Sequence, residues 1–259
     1  MTGIVSISMV KNEQDIIEPF LRHHSPLMDA MILLDNGSVD RTRSIAAACA
    51  SELGNIVITD FPAAGYKQGQ YLSDALRYVQ GAYFADFICF LDADEFLSVG
   101  SRTELVTHLS AIPVGSCGNV FWQTFLPDPG PSDDTPDAFA RMTWRRRREG
   151  TAYSKSILRL GGRQDPGLAV QQGSHRIRSA HGRKLPSVDL SDLPLMHFPI
   201  RSVAQLAAKG VMGWKAYLAR QDGAETRGEG FQKRRLHDLF INGARLAVSA
   251  QDLSHEALR

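Results

Sequence analysis

Residues 86–91 read Asp-Phe-Ile-Cys-Phe-Leu, and residues 92–97 continue Asp-Ala-Asp-Glu-Phe-Leu. A short, almost wholly apolar run that stops on a carboxylate has the length of a strand, and its lack of polar alternation suits the buried centre of a parallel sheet. Outward from this stretch the chain alternates. Residues 3–10 (GIVSISMV) form a β-branched strand pattern broken by Lys11-Asn12-Glu13, and residues 15–24 place Ile16, Ile17, Phe20 and Leu21 on one helical face. Residues 28–34 predict a second strand ending at Asp35-Asn36-Gly37-Ser38. Asp40 is suited to cap a helix over 41–53, with Thr42 in its first turn. A third strand over 55–59 and a third helix over 66–82 lead back to the run at 86–91. The spacing predicts βαβαβαβ, an α/β doubly wound, mostly parallel sheet with helices on both faces. Ligands of such sheets bind beyond the carboxyl ends of the strands, and that is where residues 11–13, 35–38 and 92–95 fall.

The second half is less regular. Residues 118–125 and 153–160 have strand patterns, residues 127–136 (PDPGPSDDTP) and 161–172 read as loops, and residues 202–220 and 231–250 read as helices. The expected division is a domain over residues 1–200 and a helical C-terminal extension over 201–259 packed on it. In the first of these helices Leu206, Val211, Trp214 and Leu218 alternate with Lys209 and Lys215. Core docking is its first reading, peripheral membrane contact the second.

The totals narrow the function classes. The chain has 259 residues, 43% hydrophobic and 22% charged, so one large α/β domain is well supplied with core. Lys plus Arg number 29 against 28 Asp plus Glu, and a net charge of +1 gives no general pull toward nucleic acid. Cys49, Cys89 and Cys117 are odd in number and far apart; Cys49, in a helical pattern, and Cys89, in an apolar strand, read as buried thiols, which suggests a reducing compartment. With no signal-peptide pattern at the start and no apolar window long enough for a transmembrane segment, the expectation is a cytoplasmic protein.

Asp92 and Asp94 carry the chemistry. Two carboxylates at i and i+2 beyond a strand end meet in one crevice where the backbone turns; they repel, and a hard dication relieves the repulsion. The bland alternative is a solvated acidic turn. The buried strand ahead of the pair and the two further polar clusters on the same edge favour the cation.

The chain resembles the glycosyltransferase family 2-like proteins of GT-A fold, particularly the branch related to family 92. The matching stretches are Met9-Val10-Lys11-Asn12-Glu13, residues 34–42 (LDNGSVDRT) and Leu91-Asp92-Ala93-Asp94-Glu95-Phe96-Leu97, in the family's order and spacing. Weaker matches are Lys155-Ser156-Ile157, Gly173-Ser174-His175-Arg176 and residues 197–202 (HFPIRS). The resemblance implies sugar transfer from a nucleoside diphosphate sugar, in this group typically a UDP-sugar, to a saccharide or lipid-linked glycan acceptor. It implies Mn2+ or Mg2+ held by Asp92 and Asp94 against the diphosphate. Val10, Lys11, Asn12 and Glu13 would line base and ribose, with Asp35 accepting from the base and Asn36 standing where many relatives have a second aspartate. Asp92 and Ala93 would border the donor, and Lys67 and Gln70 would face diphosphate or ribose, a solvated helix start being the equal alternative. A histidine from the C-terminal half completes the metal shell in many such enzymes; His175 is the candidate and His197 its rival.

An inverting transfer needs a general base. Asp133, Asp134 and Glu95 are the candidates, and spacing does not choose among them; Glu95 is equally suited to orienting its neighbours, while Asp94 counts as catalytic through the metal it would hold. Arg145-Arg146-Arg147-Arg148 is suited to a diphosphate, an anionic acceptor or a phospholipid surface, though charge runs are more often solvated. Trp122 and Trp144 suit either sugar stacking or packing on the sheet. Two rivals stand beside the transferase. One is a haloacid dehalogenase-type phosphatase with Asp92 as nucleophile, the other a non-catalytic nucleotide-sugar or glycan-binding module.

Overall fold

The computed structural model describes residues 2–61, 68–127, 142, 144–147, 149, 153–218 and 255–257. β1 (Ile4–Val10), α1 (Ile17–His24), β2 (Ala30–Asp35), α2 (Thr42–Leu53), β3 (Ile56–Asp60), α3 (Gln68–Ala82) and β4 (Phe87–Phe90) follow one another as the alternation predicts. β1 pairs in parallel with β2 on one side and β4 on the other, and β2 pairs in parallel with β3. β2 and β4 are buried along their whole length, which is why neither shows a polar face in the sequence. One sheet face, through Val5, Ile7, Ile32, Leu34, Ile88 and Phe90, packs on Leu72, Leu76 and Val79 of α3. α2 ends at Gly54, whose φ of 78° makes the left-handed turn that stops the helix.

β5 (Glu95–Leu97), α4 (Arg102–Ser110), β6 (Cys117–Leu126), β7 (Trp144–Arg146), β8 (Ser154–Arg159), β9 (Ala169–Val170), β10 (Ile177–Arg178), β11 (Ser187–Asp189), β12 (Leu195–His197), α5 (Val203–Leu218) and β13 (His255–Ala257) complete the element order. β8 lies antiparallel between β4 and β6. The sheet therefore runs β3-β2-β1-β4-β8-β6, mixed and mostly parallel, with β11 parallel beside β6. β9, inside a stretch expected to be loop, pairs antiparallel with β10, and β5 pairs antiparallel with β12. These two- and three-residue strands are too short for a periodicity and exist only through their pairing partners, which for β5 lie far along the chain. α4, also unexpected, starts at Ser101, whose side chain accepts from the Glu104 backbone while Glu104 accepts from Gly100.

The chain divides into two compact units. The first takes residues 1–62, 67–123 and 149–197; the second takes 63–66, 124–148 and 198–259. In the second, the end of β6 pairs with β7 and β7 with β13. As a strand should, β7 turns its arginines differently: Arg145 is half-buried and Arg146 exposed. Arg148, the stretch 128–136 with Asp133 and Asp134, and the helix expected over 231–250 lie outside the described residues. No helix among the described residues is long and apolar enough to cross a membrane. All three cysteines are free and buried.

Candidate active site at the carboxyl edge of the sheet

Three loops leave the carboxyl ends of β1, β2 and β4, and two of them are woven together. Asn12, at a left-handed φ of 56°, donates its backbone N–H to Ser38 Oγ at 3.0 Å, and its own Oδ1 accepts from Val39 N at 2.9 Å. Ser38 in turn donates through Oγ to Asp35 Oδ1 at 2.5 Å. Glu13 N donates to Thr42 Oγ1 at 2.7 Å, and Thr42 gives both its N–H and its hydroxyl to Asp40 Oδ1. Asp40 thus accepts from the first amide of α2, from one residue ahead of the N-cap position, Arg41. Lys11, Asn12 and Glu13 are half-buried, Val10, Asp35 and Asn36 fully so, all grouped at this edge.

The third loop is held by charge. After β4 the chain turns through Asp92-Ala93-Asp94 into β5. Glu95 is fully buried there, and its Oε2 accepts from the Asp92 backbone N–H at 2.9 Å, closing the turn. Glu95 Oε1 accepts from Trp122 Nε1 at 2.8 Å. Lys155 rises from β8 beneath the turn, 1% exposed, with its Nζ 2.6 Å from Asp92 Oδ2 and 3.4 Å from Glu95 Oε2. Burial alone disfavours the ammonium, yet Asp92 and Glu95 hold its pKa above the ordinary lysine range. Burial pushes the Glu95 carboxyl upward against the pull of Lys155. Both Glu95 oxygens receive N–H donors, an arrangement that the ionised form satisfies.

Asp92 keeps 35% of its side chain exposed. Its Oδ1 accepts from Gln68 Nε2 at 3.3 Å, and Gln68 is oriented by Gly173 N donating to its Oε1 at 3.1 Å. Gln70, two positions on, is exposed. Lys67 and Asp134 lie outside the described residues. Ala93 and Asp94 are buried in the turn. The β5–β12 ladder sets His197 opposite Glu95, and His197 Nε2 comes within 3.9 Å of Asp94 Oδ2. Trp122 stacks on the His197 ring at 4.1 Å and 23°, so one indole holds both Glu95 and His197.

His175 is engaged differently. Its Nδ1 lies 2.7 Å from the Ser154 carbonyl, its ring packs on Trp122 and Tyr153, and burial lowers its pKa. A side chain on Gly173, whose φ is 78°, would strike that ring at 2.6 Å. Among the described residues no three of His, Cys, Asp and Glu stand close enough to hold a metal ion by themselves. The structure brings together Asp92, Asp94 and Glu95, but the histidine beside Asp94 is His197.

Two groups of this edge were given no role from the sequence, and each left a trace in it. Gln68 continues the stripe Leu72, Ala75, Leu76 and Val79 that α3 buries, so its face was readable. Lys155 shares its strand face with Ile157, and a lysine on a core face calls for buried partners.

No curated protein sequence matches the chain. Among solved structures it is similar to TarS of S. aureus at 13% identity, over 93% of this chain and 43% of that one, with a TM-score of 0.45. It is similar to the Pyrobaculum calidifontis mannosyltransferase PcManGT, in complex with GDP-Man and Mn2+, at 14% identity over 83% and 63% of the two chains, TM-score 0.47. A third is glucosyl-3-phosphoglycerate synthase of Mycobacterium tuberculosis, in complex with Mn2+, UDP and glucosyl-3-phosphoglycerate, at 24% identity over 47% and 44%, TM-score 0.33. The chain spans less than half the length of TarS and of the synthase. A family model described as glycosyl transferase family 2 matches residues 7–160, more than half of the sequence, and the chain belongs to that family.

Proposed function

We propose that the chain transfers a sugar from a nucleoside diphosphate sugar, a UDP-sugar by the resemblance of its first hundred residues, to a saccharide or lipid-linked glycan acceptor, with inversion. The observation that carries this is the buried charged cluster of Asp92, Asp94, Glu95 and Lys155, with His197, at the edge of the sheet where α/β folds bind ligands. The woven loops of residues 10–13 and 35–36 supply the nucleoside side of the site. Family membership sets the phosphatase aside, and the three free buried cysteines support placing the enzyme in a reducing compartment, the cytoplasm.

The residues fit a divalent ion. Asp92 and Glu95 face the one ammonium and Asp94 lies nearby, leaving negative charge in excess. Asp94 Oδ2 and His197 Nε2, 3.9 Å apart, are spaced as two ligands of one ion, which bind at about 2 Å each. Mn2+ accepts this mixed carboxylate and imidazole set. Bound there, the ion supplies positive charge to the diphosphate as it becomes the leaving group. The protein's own part is positioning. Glu95 and Lys155 fix the turn, and Trp122 holds His197 against it. Glu95, with no exposed surface, is not placed to take a proton from an acceptor hydroxyl. Of the bases suggested by the sequence, that leaves Asp133 and Asp134.

The test is release of UDP from UDP-sugars with Mn2+ or Mg2+. Slow hydrolysis in the native chain, falling by about a hundredfold or more in Asp94→Ala, is the expected result. Donor binding with no turnover in any metal, with or without saccharide acceptors, would make the chain a binding module.

A further inference from the structure

The aromatic cluster beside the charged turn contains one ring that the proposed transfer leaves without a role. Ile157 of β8 stands opposite Cys89 of β4, and β8 runs antiparallel, so Lys155 and then Tyr153 lie successively further toward the carboxyl edge. Trp122 N donates to the Tyr153 carbonyl at 3.4 Å, which carries the β6–β8 pairing out to this point. Trp122 itself is spent inside the protein, its Nε1 on Glu95 and its face on His197. Tyr153 is placed otherwise. Its ring is backed by Trp122 at 5.2 Å and 41° and by His175 at 5.5 Å and 34°, and His175 is pinned by the Ser154 carbonyl. Yet Tyr153 remains 41% exposed. Of the other exposed large apolar side chains described, Tyr78, Phe84 and Val114 lie toward the amino ends of the strands, and Val39, after β2, is aliphatic. The sheet order β2-β1-β4-β8 sets the loops of residues 10–13 and 35–36 on one side of the Asp92 turn and Tyr153 on the other. With the nucleoside on the first side, the second is open to the group that receives the sugar.

We propose that Tyr153 is the stacking surface for the acceptor, and that the acceptor presents a neutral pyranose ring to it. This rests on the sugar transfer proposed above and gives its acceptor a chemical class. A phenol ring held from behind and open in front matches the apolar C–H face of a sugar, while the hydroxyls around the sugar's rim stay free for polar contacts. The ring has no charge to offer an anionic acid, and the Lys155 ammonium beneath it is already taken by Asp92 and Glu95. Tyr153 determines which acceptor is held and at what angle, and takes no proton from it.

The experiment measures UDP release from UDP-sugars with Mn2+, alone and with the methyl glycosides of glucose, galactose, mannose and N-acetylglucosamine as acceptors. In the native chain at least one glycoside is expected to accelerate release. Tyr153→Ala then lowers the ratio of transfer to hydrolysis by about tenfold at low acceptor, as a rise in acceptor KM rather than a fall in kcat. Tyr153→Leu, which keeps apolar bulk against Trp122 without an aromatic face, behaves as Tyr153→Ala does. Tyr153→Phe keeps the ring and holds the ratio within about threefold of the native chain. A ratio that neither Tyr153→Ala nor Tyr153→Leu changes, however far both rates fall, makes Tyr153 a support for Trp122 and His175 and overturns the proposal. Equal losses in Tyr153→Phe and Tyr153→Ala move the contact from ring to hydroxyl and overturn it as well. Hydrolysis that no glycoside accelerates overturns the acceptor class and leaves the transferase standing, whereas no UDP release from any UDP-sugar sinks both.

Discussion

Two neighbouring parts of one sheet edge are held in opposite ways. The loops after β1 and β2 are joined by backbone amides and hydroxyls: Asn12 to Ser38, Ser38 to Asp35, Glu13 to Thr42. The turn after β4 is joined by ions, with Lys155 between Asp92 and Glu95 and no water-facing route for two of the three. A hydrogen-bonded weave can rest in this state indefinitely, because each member is satisfied locally. A buried cluster of charges costs desolvation, which packed apolar residues of the same volume would avoid. A charged cluster of this kind beside the strand ends is what the proposed transfer would use, and the turn holds it where the weave does not.

That contrast is broken most forcibly at Lys155. Lys155→Met leaves Asp92 and Glu95 without their cation and is expected to lower stability by about 3–5 kcal/mol, because an uncompensated buried charge remains. Asp92→Asn/Lys155→Met is expected to recover most of that loss. Urea unfolding of the native chain, both single variants (Lys155→Met and Asp92→Asn) and the double variant measures the coupling. A single variant as stable as the native chain would mean that the ion pair contributes nothing, and the two loops would not differ in kind.

The sequence made the first half of the fold legible because its signals are local. The apolar run before Asp92, the alternation before Lys11 and the helical stripe of α3 each lie within one element. Asp92 and Asp94 stood out as candidates for the same reason, since a carboxylate pair at a strand tip needs no distant partner to be seen. The partners were harder. Lys155 meets Asp92 across 63 residues of chain. His197 reaches Asp94 only through a three-residue antiparallel ladder between β5 and β12. His175 stood in the more suggestive motif, but its ring is taken up by Ser154 and the aromatic side chains of Trp122 and Tyr153. Pairing over such distances is decided by tertiary packing, on which local pattern is silent.

Acid sharpens the comparison, because β5 is also tethered from behind by a buried imidazole that must stay neutral. His24 Nδ1 lies 3.0 Å from the Phe20 carbonyl, and its Nε2 accepts from the Leu97 backbone N–H at 3.3 Å, while His23 Nε2 lies 2.8 Å from the Leu97 carbonyl. A ring that donates at one nitrogen and accepts at the other is uncharged. Burial, with His23 beside it, lowers the His24 pKa from 6.5 to about 3. Below 6.5 the unfolded chain takes up a proton that the folded chain refuses, so this contribution is complete above pH 6.5 and is lost as pH falls toward 3. At pH 5 the loss is about 2 kcal/mol relative to pH 7.5. The check is the difference in acid sensitivity between the native chain and His24→Gln, which cancels the carboxylates common to both. Equal sensitivity in the two would show that His24 is protonated in the folded state.

The smallest effect belongs to the weave. Ser38→Ala removes one acceptor from Asn12 N and one hydroxyl donor from Asp35, but leaves the Ser38 backbone N–H on Asp35 and the Asn12 side chain on Val39 N. The remaining links are redundant, so the expected cost is about 1 kcal/mol in urea unfolding, the net worth of an ordinary hydrogen bond. UDP affinity is the second readout, since Asp35 would lose the donor that fixes its rotamer and the nucleoside side of the site would loosen while Mn2+ binding at Asp94 stays as it was. A cost of about 3 kcal/mol or more would place Ser38 with the buried charges of the turn. In that case Asp35 is an ion held from inside, as Asp92 is held by Lys155, and the edge has one mode of construction instead of two.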